Sequence, residues 1–343
     1  MEQLPGEELA KKVWETIADN GIGGLFKTWQ IRRVGRAITD AQVDNKLRIA
    51  QAERDVEAIR NGEAILEGNS SLKLTYNSKS NSNSDSSSHV VIAQDISATL
   101  IADAARKEIN VAKAILHAET AAMENQGAIS EEAVNPDWLF RWRDSAGEVS
   151  NEELQTLWGK ILAGEVKSPG AFSLRTLDSL RNISKQEAEL IARLAPYITS
   201  GFMWRTDELK SKEINYGYML KMQELGILNG VEAVGGLQRT VPSVETEGFC
   251  AALIGADRAL IVQHDDPKKS LQIPCYALTS TGEEILKLCS SQSDKEYLRS
   301  LGKKIAKDGF SVLIATYRDN GNQGITWWKE EEIKLPEATE TAA

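Results

Sequence analysis

Histidine, cysteine and paired carboxylates carry most enzyme chemistry, and this chain spreads them thinly. Its three histidines are His89, His117 and His264. They fall at the edge of a Ser/Asn run, inside a long amphipathic stretch and in a polar loop, with no HExxH or other metal-ligand spacing. His264-Asp265-Asp266 is the one cluster that could hold a cation or pass a proton. Pro267 follows it directly, and Asp-Asp-Pro is turn chemistry, so the cluster reads as a turn. The three cysteines, Cys250, Cys275 and Cys289, are odd in number and far apart. Neither a disulfide framework nor a thiolate zinc site follows, and reduced thiols in a cytoplasmic protein are expected.

Other constellations are missing as well. There is no GxSxG elbow and no GxxxxGK[ST] phosphate loop. Gly21, Gly23 and Gly24 do not match GxGxxG and follow a helix pattern, so they read as a hinge. Glu152, Glu153 and Glu165 could be imagined as an acid–base pair, but helix capping and a solvated face explain them better. The sequence therefore yields no catalytic, cofactor-binding or metal-ligating residues, and no small-molecule substrate is evident.

Two surface features remain. Phe26, Trp29, Ile31 and Val34 alternate with Lys27, Arg32, Arg33 and Arg36. That mixture of ring and cation suits a membrane surface or an acidic partner, against the plainer reading of a helix with a solvated basic edge. Trp327 and Trp328 are adjacent in a strand-like run, so one of the two rings must face away from the core and could mark an interface.

The elements that would position such residues are mostly helical. Leu9, Val13, Trp14 and Ile17 predict a helix over Glu7–Asn20. A long charged helix follows from Leu25 to about Ile59. The run 77–88 is almost pure Ser and Asn and cannot bury enough apolar surface to offset its ordering entropy. A second long helix, Ile92–Glu124, then pairs antiparallel with the first. Pro136 starts the next helix, which carries Trp138 and Trp142 one turn apart. Ser150–Glu153 and Ser184–Glu187 read as capping boxes. The first opens a helix with Leu154, Leu157, Trp158, Ile161 and Leu162, which Gly164 ends; the second opens one with Ala188, Leu190, Ile191 and Leu194.

After Gly201 the pattern changes. A helix over Glu208–Leu225, strands near Ala259–Gln263 and Ile273–Leu278, and a capped helix after Leu278 are similar in order to winged-helix domains. The stretch between Asn229 and Leu271 is long for a simple wing. Lys210, Lys212 and Lys221 are interleaved with Asp207, Glu208, Glu213 and Glu224, so no basic recognition face forms. Asp294–Lys307 reads as a helix, and Phe310–Arg318 and Gly324–Glu330 as a hairpin.

The fold class expected is mainly α: a long helical hairpin plus a compact helical domain, with a small α+β, winged-helix-like C-terminal part. The boundaries are 1–134 for the long amphipathic helices with a disordered Ser/Asn loop at 77–89, 135–200 for the compact helical core, 201–292 for the winged-helix-like segment, 293–335 for a helix plus β-hairpin, and 336–343 for a flexible tail. At 343 residues, two or three domains are in order. A net charge of −10 disfavours nucleic acid as a partner. Met1–Glu8 is acidic and resembles no leader. The best apolar run, Phe249–Val262, is broken by Asp257 and Arg258 and falls short of the roughly 18 residues a membrane span needs.

Certain of these motifs occur together elsewhere. Trp29–Arg33 ahead of a long charged helix, then Glu153–Gly164, Pro169–Ser173, Thr176–Leu180 and Ser184–Ala188, resemble an uncharacterised bacterial family, domain of unknown function 2806, over roughly residues 15–200. The central helix and the Ser184–Ala188 pattern are also loosely similar to abortive-infection alpha proteins. The first resemblance implies no catalytic residue. The second implies only a setting, bacterial defence against phage. The function expected is thus a non-enzymatic interaction or effector protein in anti-phage defence. A winged-helix transcriptional regulator and a peripheral membrane effector are the alternatives. The partners expected are another protein, a second copy through the long helices, or a membrane surface.

Overall fold

The computed structural model describes residues 6–22, 38–61, 63–67, 73–76, 88–125, 128–233, 236–289, 291–320 and 324–334. The chain divides into two units, Met1–Leu177 and Asp178–Ala343.

The first unit is a helix assembly. Its helices are α1 (Glu7–Asp19), α2 (Ile38–Arg60), α3 (Ser88–Glu124), α4 (Pro136–Gly147) and α5 (Glu152–Lys167), and α6 (Leu174–Asn182) begins within it. Leu9, Val13, Trp14 and Ile17 of α1 are buried, as their spacing requires. α2 and α3 run antiparallel: Lys113 bonds to Glu53, while Ala102 packs near Ala58 and Ile59. Between them the chain also makes a short antiparallel ribbon, β1 (Ala64–Glu67) with β2 (Lys73–Tyr76). Its four-residue strands carry too little alternation to be read from the sequence.

α3 is the central element, and a buried polar network fixes its register. The Asn110 amide donates to the Gly147 carbonyl at 2.8 Å, and the Gln155 amide donates to Asn110 at 3.2 Å and to the Val149 carbonyl at 3.0 Å. α5 reaches α3 at Gly159, where a Cβ would lie 2.6 Å from the His117 Cβ and 2.7 Å from the Ala118 nitrogen. Gly159→Ala is therefore expected to destabilise the unit by about 1–3 kcal/mol, because the crowding outweighs the ~1 kcal/mol of helix propensity that alanine adds. Urea unfolding checks this; a midpoint at or above that of the parent would show that the helices part freely.

Capping follows the sequence with one correction. Ser184 and Glu187 form the complete capping box of α7 (Lys185–Leu194). At α5 the cap is Asn151, whose side chain accepts the Leu154 N–H at 3.2 Å, and not Ser150. α5 also runs through Gly164 to Lys167. A Cβ at residue 164 would sit 2.8 Å from the Phe172 ring, so this glycine makes room for a ring and does not end the helix.

The second unit overturns the expected fold class. In place of a small winged-helix-like end, it has two four-stranded antiparallel sheets. The strands are β3 (Phe202–Trp204), β4 (Leu228–Asn229), β5 (Leu237–Val241), β6 (Phe249–Ile254), β7 (Arg258–His264), β8 (Leu271–Leu278), β9 (Ser311–Asp319) and β10 (Ile325–Glu332). One sheet has the order β10-β9-β7-β6; in the other, β3, β4 and β5 all pair with β8. The overlong "wing" is β5 to β7. The C-terminal hairpin joins the first of these sheets through β9, which pairs with β7.

The short helices α8 (Glu208–Ser211), α9 (Tyr216–Glu224) and α10 (Ser280–Leu286) connect these strands, and α11 (Lys295–Ala306) covers one face. Tyr297, Leu298, Leu301 and Ile305 of α11 join Leu260, Val262, Val312 and Ile314 in a single core. Ile191 and Leu194 of α7 belong to that core as well.

Ion pairs tie β10 to its neighbours. Glu331 meets the Arg299 guanidinium through three contacts of 2.8–3.0 Å, and Glu330 bonds to Lys295 and, at 2.8 Å, to Arg258. Lys295 first and then Arg258 hold the Glu330 carboxyl below its ordinary value, and Arg299 does the same for Glu331. A depressed carboxylate contributes stability that is present above the ordinary glutamate value and is lost as pH falls through the folded one. The second unit should therefore weaken on acidification below about pH 4.3. Glu330→Gln with Glu331→Gln should flatten that fall, as read from denaturant midpoints at several pH values. An equal fall in the double variant would assign the acid sensitivity elsewhere.

Candidate functional site: a cationic cleft in the second unit

β3 delivers the chain to a cleft of about 650 Å³ lined by residues of β3's exit, α8, α9, β8 and the end of α11. The exit begins at Arg205. Its backbone N–H bonds to the Pro274 carbonyl at 2.9 Å, and its guanidinium carbon lies 4.3 Å from the centre of the Tyr276 ring. On another side stands Gly236, at φ +74°, where a Cβ would be 2.5 Å from Arg205 Nη1. The Arg205 guanidinium thus lies between an aromatic ring and the backbone at Gly236, whose positive φ favours glycine.

The other cations come from two helices. Lys210 lies on α8, and Lys303, Lys304 and Lys307 lie at and just beyond the last turn of α11. Lys304 donates to the Arg205 carbonyl at 2.8 Å and so ties α11 to the loop. Lys303 and Lys307 are exposed, and no ion pair engages them among the described residues. Lysines at a helix C-terminus are ordinarily placed to meet the helix dipole. That accounts for one or two of them, but not for their lining one cleft together with Arg205. Asp207 is the cleft's one acid, 3.5 Å from Lys210 and fully exposed. The floor is apolar: Leu209, Ile214 and Met219, with Tyr276 beside them, are buried.

Two polar atoms in the cleft wall are left over. Arg205 Nε and Thr206 Oγ1 are buried and have no hydrogen-bond partner among the described residues. An unmade buried bond costs about 1–3 kcal/mol. Both atoms are closed off from solvent, so neither is presented to the open cleft.

The residues singled out from the sequence lie elsewhere. Phe26, Lys27, Trp29, Arg32, Arg33 and Arg36 fall in 23–37, outside the described residues. Trp327 and Trp328 sit on the edge strand β10, opposite Tyr317 and Thr316 and 37% and 52% exposed. The Arg318 guanidinium lies 6.0 Å from the Trp328 ring. His264 accepts the Asp266 N–H, and Asp266 accepts the Lys268 N–H, each at 2.9 Å, which is a turn held by its own side chains. Glu165 is buried and accepts the N–H groups of Gly170 and Phe172 at 2.7 and 2.9 Å, so it closes the turn after α5. Burial pushes the thiols of Cys250 and Cys275 up, away from the reactive thiolate. Among the described residues, no group of three or more His, Cys, Asp or Glu is placed to hold a metal ion. No helix among them is long and apolar enough to cross a membrane.

The cleft itself escaped sequence reading. In the sequence Lys210 stands among acidic residues, while Arg205 and the Lys303–Lys307 run lie about a hundred residues apart in the chain. A fold bringing those two segments together is the only signal that could have exposed it.

Neither a curated protein nor a solved structure matches the chain. The family expected from the motifs is found over a narrower stretch than 15–200. Residues 101–200, from within α3 to the end of α7 and the turn beyond it, match the family model described as protein of unknown function (DUF2806), and this stretch of the chain carries that domain.

Proposed function

We propose that this chain is a binding protein whose second unit takes up a phosphate-bearing ligand. One observation carries the reading: in a chain of net charge −10, Arg205, Lys210, Lys303, Lys304 and Lys307 converge on a single cleft. Arg205, Lys303, Lys304 and Lys307 have no ion-pair partner among the described residues, and an anion in the cleft would supply one. The reading keeps the interaction role expected from the sequence and adds a small ligand to which the sequence did not point. Free thiols at Cys250, Cys275 and Cys289 support a cytoplasmic place for it.

Calorimetric titration with inorganic tripolyphosphate at low salt tests the proposal. Binding should weaken as salt rises. Lys303→Gln with Lys307→Gln, two exposed positions, should lower the affinity at least about tenfold through the loss of two charge-assisted contacts. No binding at millimolar concentration, or binding unaffected by the double variant, would sink it. The setting in phage defence rests on the sequence likeness alone. Expression in a sensitive host and challenge with a phage panel tests it, and unchanged plaque counts would remove it.

A further inference from the structure

We infer that the ligand of the cleft is a nucleoside polyphosphate, an inference that rests on the anion-binding reading above and names its ligand class. The argument is the two-part chemistry of the cleft. Its rim is cationic. Ser300 and Lys303 or Lys304 on α11, and Lys307 at its C-terminal cap, stand about one helical turn apart, so donors recur along the helix direction instead of gathering at one point. That arrangement suits several phosphoryl groups in a row better than one. Its floor is apolar, made by Leu209, Ile214 and Met219 beside Tyr276. An inorganic polyphosphate or a phosphorylated inositol is polar on every side and would leave that floor without a partner. A ligand with one flat, largely apolar ring system and one polyanionic tail matches both parts.

Asp207, the one carboxylate lining the cleft, is exposed and is an acceptor for a sugar hydroxyl. The volume, about 650 Å³, lies within the range of small-ligand sites.

A nucleic-acid strand fits less well. A strand leaving the cleft would run over a chain of net charge −10. Its phosphates beyond the five cations would meet that charge within the ~10 Å over which it is felt at ordinary ionic strength. A mononucleotide keeps its whole charge inside the cleft.

The test titrates the full chain with ATP, GTP, CTP and UTP, with tripolyphosphate, with inositol hexakisphosphate and with a single-stranded dodecanucleotide. At least one nucleotide should bind about tenfold or more tightly than tripolyphosphate, since the nucleoside adds contacts with the floor. That binding should be lost in the Lys303→Gln, Lys307→Gln variant. Tripolyphosphate binding as tightly as every nucleotide would overturn the nucleoside inference and leave the anion-binding reading standing. Tighter binding of the inositol phosphate or of the oligonucleotide would overturn it in favour of that ligand. Nucleotide binding untouched by the double variant would place the nucleotide outside this cleft. No binding of any of the seven would end both readings.

Discussion

Replacing Trp142 with alanine is expected to destabilise the first unit by about 3–5 kcal/mol. The indole is fully buried in α4, and its Nε1–H donates to the Trp158 carbonyl of α5 at 2.9 Å. It therefore fills the space between two helices and also marks their register. Alanine removes the whole ring system, and the helices around it collapse only in part, so a cavity remains. Trp138, one turn earlier, cannot compensate. Its own Nε1–H is committed to the Phe172 carbonyl. Trp142→Phe separates the two contributions, since it keeps most of the packing and loses the donor; a smaller loss, near 1–2 kcal/mol, is expected. Urea unfolding measures both, and hydrogen exchange over 101–177 assigns them to this unit. A loss below about 1 kcal/mol in the alanine variant would show that the indole is not a core residue.

The same residues show what the sequence makes legible. Trp138 and Trp142 share a helix face because 3.6 residues make a turn, and this local rule holds wherever the helix packs. The Ser184 capping box is equally local, with both its partners within three residues. Where two residues compete for one local role, the pattern is silent: Ser150 and Asn151 are both good caps, and only the backbone geometry selects Asn151.

The second unit is hidden in the sequence for a different reason. β7 pairs with β9 across about fifty residues, and β8 accepts β3, β4 and β5 from three separate segments. Nothing in a strand's own residues names its partner. β6 illustrates the limit: its burial alternates along Phe249–Ile254, yet the sequence Phe-Cys-Ala-Ala-Leu-Ile is apolar throughout and gives no period to read. The cleft depends on those pairings, so it was out of reach as soon as they were.

Tyr297 joins the core to the cleft, and its replacement is the second large effect expected. β3 is an edge of its sheet, which leaves the outward backbone groups of Trp204 without a strand partner. The Tyr297 hydroxyl takes both: it accepts the Trp204 N–H at 2.8 Å and donates to the Trp204 carbonyl at 3.2 Å. Complete burial raises the phenol well above its ordinary value, so it stays protonated and able to donate at any working pH. The ring also packs edge-on against Tyr197, with centroids 5.6 Å apart.

Tyr297→Phe keeps the ring and abandons a buried N–H, for an expected loss of about 1–3 kcal/mol. Tyr297→Ala adds a ring-sized cavity and should bring the loss to about 3–5 kcal/mol, enough to unfold the unit if its margin is ordinary. The phenylalanine variant is the more informative of the two. Arg205 follows Trp204 directly, so freeing the edge of β3 frees the residue that Tyr276 and Gly236 hold in the cleft. Tripolyphosphate affinity should then fall along with stability, measured well below the melting temperature so that the folded fraction stays constant. A stability loss with unchanged affinity would mean that Tyr276 and Gly236 suffice to place Arg205, and that the clamp on Trp204 serves the core alone.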